Sequence, residues 1–191
     1  MKLDTVDILG QSEKFLLKAA RQISKITINP LAEVSFHSSE FRNKVILKDY
    51  SDKIPQSKRP LIYIISLQTK AVLPALIRNF EEYHRTNIQR TKNVDRVNLA
   101  RHNKTASKVL YVGSSTTDFR TRIKNHLGTE GIRTYSMHLC KWDNGLDYNL
   151  NISAFELIGE NTEKIDRFLV EIIEQQFWEE LRPVFGKKSG L

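Results

Sequence analysis

KVLYVGSSTTDFRTRIKNHL, residues Lys108–Leu127, is the stretch whose reading decides the fold. A β-branched and aromatic run ends in Gly113, polar residues with turn chemistry follow, and an amphipathic segment then carries Arg120, Arg122, Lys124 and His126. That order reads as strand, tight turn and helix start. Arg122 and His126, four residues apart, share one helix face. Gly113 lets the backbone turn sharply or lets a ligand come close. Ser114, Ser115, Thr116 and Thr117 are candidate caps, and a helix start with free N–H groups favours an anion. A Tyr, a Gly, an Arg and a His can thus converge on one phosphate. The plainer alternative is a buried strand followed by a solvated basic helix.

Downstream, Gly128–Gly131 form a loop and Thr134–Trp142 read as a strand. Asn144-Gly145 is a strong turn signal. Asn151–Ile158 read as another strand, closed by Gly159. Glu163–Leu181 is the clearest helix, with Ile165, Phe168, Leu169, Ile172, Ile173 and Trp178 on its apolar face and Thr162 as a cap. Glu174 lies beside that stripe rather than opposite it, so it can enter a cleft edge with raised basicity or hold a cation. Glu171 and Glu174 are three apart. His138 and Cys140 would share a strand face, but a metal site needs two further ligands and the sequence offers none nearby.

Upstream, Pro60–Leu67 (PLIYIISL) is a short apolar run centred on Tyr63 and reads as a buried strand. Val72, Leu73, Leu76, Ile77 and Phe80 give a helical stripe, with Pro74 early enough for a first turn. From Lys70 to Lys108 there are nine Lys or Arg against three acids, most of the chain's net charge of +8. Val94, Val97 and Leu99–Ala100 leave a weak helical pattern behind those charges. A solvated face is one reading of 68–107; a stripe tracking a phosphate backbone through Arg85, Arg90, Lys92, Arg96, Arg101 and Lys104 is the other. Residues 1–59 read as an N-terminal appendage. It begins with a helix capped at Ser12 and stopped by Asn29-Pro30, continues as short strands at Ala32–Phe36 and Lys44–Leu47, and ends in a linker at Asp49–Arg59.

The chain has 191 residues, 40% apolar and 27% charged, which suits one domain with an appendage. No apolar run approaches transmembrane length and no signal-peptide pattern opens the chain, so a cytosolic protein with no membrane partner is expected. The single cysteine, Cys140, cannot make an internal disulfide. The basic surplus is the electrostatic footprint of a nucleic-acid binder.

IYII around Tyr63, LYVG at 110–113 and EQQFWEELRP at 174–183 occur in that order. Together they resemble the GIY-YIG nuclease family across roughly 60–188. The first signature stands as Leu61-Ile62-Tyr63, with Leu replacing the family Gly, and the second as Tyr111-Val112-Gly113. The family's helical arginine falls on Arg122, its acidic residue on Glu174, and His126 matches a His of restriction-type members. Two departures stand out: the two signatures are separated by the basic insertion 68–107, and Gly186 occupies the position of a frequent family Asn, for which Asn125, Lys187 or Lys188 would have to compensate.

The resemblance implies an α+β domain at 60–191, with a small three-stranded antiparallel sheet (61–67, 108–113, 151–158) flanked by helices at 116–127 and 163–182. It also implies a metal-dependent endonuclease. Glu174 would bind one Mg²⁺ or Mn²⁺ ion, Arg122 would pair with the scissile phosphate, and Tyr63 or Tyr111 would stand near the attacking water. A phenol of pKa about 10 is a poor base at neutral pH unless neighbours lower it. His126 would hydrogen-bond a Tyr hydroxyl or receive its proton. Double-stranded DNA is the expected partner, with Arg120, Lys124, Lys187 and Lys188 adding to the basic stripe. A sequence-specific role as a homodimer is favoured by analogy. The rival reading is a nucleic-acid-binding protein on a decayed nuclease scaffold.

Overall fold

The computed structural model describes residues 5–160 and 164–188, the Lys53 side chain excepted. The alternation in LIYIISL organises the architecture. Along β2 (Leu61–Leu67), Leu61, Tyr63, Ile65 and Leu67 enter one buried cluster, while Ile62 and Ile64 pack into another. A strand buried on both sides must lie inside a sheet with a core on each face. β2 accordingly pairs antiparallel with β3 (Val109–Ser115) on one side and with β4 (Asn149–Ile158) on the other. β1 (Thr27–His37) adds to the far side of β4, so the antiparallel sheet has the order β1-β4-β2-β3.

The class is α+β, but the sheet has four strands and not three. The fourth strand contains the short strand expected at Ala32–Phe36, but it starts at Thr27 and runs through Asn29-Pro30, which reads as a helix stop. Proline is tolerated there because β1 is an edge strand and its register shifts between Pro30 and Ala32. Residues 36–54 also send Phe36, Phe41, Leu47 and Ile54 into the cluster that holds Tyr63.

Among the described residues six α-helices surround the sheet: α1 (Thr5–Ile23), α2 (Ser38–Arg42), α3 (Lys44–Lys53), α4 (Leu73–Asn87), α5 (Phe119–Leu127) and α6 (Arg167–Leu181). α5 packs Phe119, Ile123 and Leu127 on the Tyr63 face, and α6 packs Leu169, Val170 and Ile173 on the opposite face. Among the described residues no helix is long and apolar enough to cross a membrane.

Local hydrogen bonds explain where pattern reading fails. α1 runs straight through Ser12, whose Oγ donates to Ile8 O at 2.9 Å. Lys44–Leu47 begins a helix and not a strand, because Asn43 Oδ1 accepts from Val45 N and Ile46 N at 3.0 and 3.3 Å and supplies the missing first-turn acceptor. α5 is capped by Asp118, which accepts from Thr121 N at 3.1 Å, and not by the preceding Ser or Thr residues. α6 starts at Arg167 with Asp166 accepting from Phe168 N at 2.8 Å. The expected cap Thr162 and helix start Glu163 lie outside the described residues.

Beyond α4 the basic segment is not helical. Buried Asn87 clamps it, with Nδ2 donating to Val97 O at 2.8 Å and Oδ1 accepting from Val97 N at 2.9 Å. Main-chain bonds from Asn98 N to Ile132 O, Ala100 N to Ser136 O and Ser136 N to Asn98 O join it to 132–136. The expected strand Thr134–Trp142 is consumed by that pairing and by a 3-10 turn at Leu139–Lys141. Asn144 and Gly145 form a turn with both φ values positive, 51° and 73°.

Candidate active site

Tyr63 and Gly113 oppose one another across β2 and β3. A Cβ on Gly113 would lie 2.7 Å from Tyr63 Oη and 2.8 Å from Tyr111 Cε1. Gly113 therefore ends no strand and makes no tight turn; β3 continues to Ser115, and the glycine is needed because two phenol rings lie against it. Those rings stack with centroids 6.2 Å apart and planes 16° apart.

Side chains alternate along β3 beyond Tyr111, so Tyr111 and Gly113 face α5 while Val112 and Ser114 face α6. β3 is the outer strand of the sheet, so residues from both faces can meet across its edge. They do: Tyr63, Tyr111, Gly113, Ser114, Arg122, Glu171 and Glu174 line one cleft of about 260 Å³. Ser114 Oγ donates to Glu174 Oε2 at 2.5 Å, which fixes the carboxylate on the α6 side. Arg122 is exposed at this cleft, and its guanidinium makes no ion pair among the described residues.

His126 is buried behind the phenols. Its Nε2 lies 2.9 Å from Tyr63 Oη, and its ring centroid is 4.0 Å from that of Tyr111. Burial, reinforced by His138 and Arg122, lowers its pKa to about 3, so the imidazole is neutral. Met137 N–H donates to Nδ1 at 3.3 Å. With Nδ1 accepting, Nε2 carries the proton and donates to the Tyr63 oxygen. Of the two roles the sequence leaves open, this geometry supplies the donor and opposes the proton acceptor.

Burial also sets the remaining protonation states. It raises Tyr63 well above the usual phenol range and Tyr111 to about 12, with Glu174 adding to the rise at both and Arg122 opposing it. Glu174 is raised from the ordinary carboxylate value, first by burial and then by Glu171, against the lowering effects of Ser114, Arg122 and Arg167. The carboxylate is thus more basic than a surface Glu.

Comparison with known protein families, curated proteins and solved structures returned no match. The cleft is therefore read from its own chemistry: an unpaired guanidinium, a basic carboxylate and two phenols around a space open to solvent.

The expected basic contacts divide into distinct environments. Arg85, Arg101, Lys104 and Lys187 line a second cavity that also touches Tyr111. Lys92 is exposed, and Arg96 bridges back to it within a turn. Arg90 lies over the Tyr83 ring at 5.4 Å, and Lys188 pairs with Glu179. Lys124 sits with Lys44 and Lys48 at a separate hollow. Arg120 is tied inward: Nε and a terminal nitrogen donate to Ile54 O at 2.9 and 2.7 Å, and Asp52 O accepts at 2.8 Å.

Sequence reading missed Ser114, taken as a cap; counting alternation onward from Tyr111 would have placed it toward α6. It singled out Gly186 only as a departure, not as a neighbour of Tyr111. Gly186 has φ of +109°, and a Cβ there would stand 3.0 Å from Tyr111 Cε2. Glycine at this position thus makes room for the second phenol. Of the proposed substitutes, Asn125 is buried in α5 and Lys188 is paired with Glu179, while Lys187 faces the second cavity. His138 Nε2 bonds Thr134 O at 2.9 Å, in a site held by packing.

Proposed function

We propose that this chain is a metal-dependent endonuclease of the GIY-YIG kind, hydrolysing phosphodiester bonds of double-stranded DNA. The observation that carries this reading is the meeting of Tyr63, Tyr111, Arg122 and Glu174 in one cleft, although they come from two strands and two helices.

The donor set suits a hard cation such as Mg²⁺ or Mn²⁺. Glu174 is a carboxylate of raised basicity at the cleft, with Glu171 lining it too. Among the described residues no cluster of three or more metal-ligating side chains occurs. The remaining positions would fall to water and phosphate oxygens, an arrangement Mg²⁺ accepts. When bound, such an ion supplies charge neutralisation at the leaving oxygen.

The chain's own groups do the rest. Arg122 offers a planar fork to two phosphate oxygens. Tyr63, accepting from His126, keeps its own O–H available to orient the attacking water. Both phenols are protonated at neutral pH, so they position water by hydrogen bonding, and a phenolate base requires added positive charge in the cleft. Target selection falls to the basic segment 68–107. Within this class we favour sequence-specific cutting by a homodimer, each copy cutting one strand, on the strength of His126 and that segment.

A plasmid-nicking assay with Mg²⁺ tests the reading. Glu174→Ala is expected to lose nicking by about 10³-fold or more. Nicking unchanged in that variant removes Glu174 from the chemistry. Tight DNA binding with no cutting in any divalent metal assigns the cleft to binding alone.

A further inference from the structure

A second cavity, of about 860 Å³, shares Tyr111 with the cleft. Gly113 meets the Cε1 edge of that ring and Gly186 the Cε2 edge. Gly113 lines the cleft and Gly186 lines the cavity, so the two hollows open at opposite edges of one phenol. The volume is that of a small-molecule pocket, which typically spans about 300–1,000 Å³.

The lining of this cavity differs from that of the cleft. Its walls are mainly apolar, with Phe80, Leu99 and Ala100 inside and Ile88 and Tyr135 toward solvent. Tyr135 is 65% exposed and Ile88 46%, so a large aromatic face stands open beside apolar surface. Arg85, Arg101, Lys104 and Lys187 complete the lining and make no ion pair among the described residues. The single carboxylate there, Glu81, lies 3.7 Å from His102 Nδ1.

An apolar hollow with an open aromatic ring and four unpaired cations is complementary to a planar base joined to phosphates. We propose that the cavity receives one unstacked nucleobase of the DNA strand whose phosphate occupies the adjacent cleft, a proposal that rests on the nuclease reading of that cleft. Tyr135 offers a stacking face, the apolar walls replace the lost neighbouring bases, and the four cations hold the flanking phosphates. A nucleotide that is already unpaired enters without the cost of opening a base pair. The protein should therefore prefer DNA carrying one.

The test is binding of the full chain, without divalent ions, to two duplexes of one sequence. One is fully paired; the other carries 2-aminopurine as a one-nucleotide bulge. The bulged duplex is expected to bind about tenfold more tightly, with a change in 2-aminopurine emission. Tyr135→Ala and Ile88→Asp, both at exposed positions, should each bring the affinity ratio close to one. Equal affinity of the wild-type protein for the two duplexes overturns the proposal, and so does a preference that survives both variants. Deoxyadenosine monophosphate that binds in the cavity without competing against bulged DNA also overturns it. No cutting is involved, so the two readings fail separately. Glu174-dependent nicking without a bulge preference sinks the cavity alone. A bulge preference without nicking in any metal supports the cavity and sinks hydrolysis.

Discussion

The two hollows that meet at Tyr111 place their charges differently. In the smaller, about 260 Å³, Glu174 is half-buried among phenols, and burial raises the pKa of Glu174, Tyr63 and Tyr111. In the larger, about 860 Å³, the walls are apolar, and Arg85, Arg101, Lys104 and Lys187 are all exposed. A charge withdrawn from water acquires altered basicity, which chemistry at phosphorus can use. A charge left in water can serve attraction and steering. The basic side chains thus sit in different environments, and neighbouring residues can differ: Arg122 is free at the cleft, while Arg120, two positions earlier, is bonded to main-chain carbonyls.

That last contrast gives the largest effect after Glu174→Ala. Arg122→Ala should slow plasmid nicking by about 10²–10³-fold with little change in the unfolding midpoint. Arg120→Ala should lower the unfolding free energy by about 1–3 kcal/mol in urea titration. If Arg120→Ala abolishes nicking while its stability is intact, the assignment of the two arginines is inverted.

Gly113→Ala introduces a Cβ 2.7 Å from Tyr63 Oη. The expected cost is about 1–3 kcal/mol of stability, with a change in tyrosine near-ultraviolet circular dichroism. An unperturbed spectrum and midpoint would mean that the two rings do not close over this residue.

The pH dependence has a defined sign. The ordinary pKa of His126 is 6.5, and in the folded chain it is about 3. Between those values the unfolded chain binds the proton and the folded chain does not. The contribution of neutral His126 to stability is therefore full above pH 6.5 and declines as pH falls toward 3. His102 and His138 are lowered by burial as well, so His126→Phe should flatten this slope without erasing it. Urea unfolding at pH 7 and pH 5 measures the difference; an identical slope in the variant would mean that His126 protonates in place.

The smallest effect is expected at Glu171. Its charge helps raise the Glu174 pKa, so Glu171→Gln should move the acid limb of the nicking profile to lower pH. A shift to higher pH would show that Glu171 acts on Glu174 by some route other than charge.

How much of this was readable in the chain depends on whether the signal was local. β2, β3 and β4 announce themselves through apolar runs, and Tyr63, Tyr111, Arg122 and Glu174 through their motif spacing. The second half of β1 was read as a strand at Ala32–Phe36, but its first half was obscured because its proline is acceptable only at a sheet edge, a property that belongs to the assembled sheet. Lys44–Leu47 has strand-like residues, yet one asparagine hydrogen-bonding the first turn makes it helical. The basic segment after α4 has a faint helical period, and a buried Asn87 pairing with Val97 overrides it.

The sequence by itself determined the α+β class, the strands β2, β3 and β4 and the candidacy of Tyr63, Tyr111, Arg122 and Glu174, because period-two burial and short motifs are properties of neighbours along the chain. Only the tertiary structure decided that Gly113 and Gly186 make room for the phenols, that His126 donates its Nε2 proton, and that Ser114 holds Glu174. Each depends on contacts between residues far apart in the chain, where distances of a few tenths of an ångström and exclusion from water set both position and protonation.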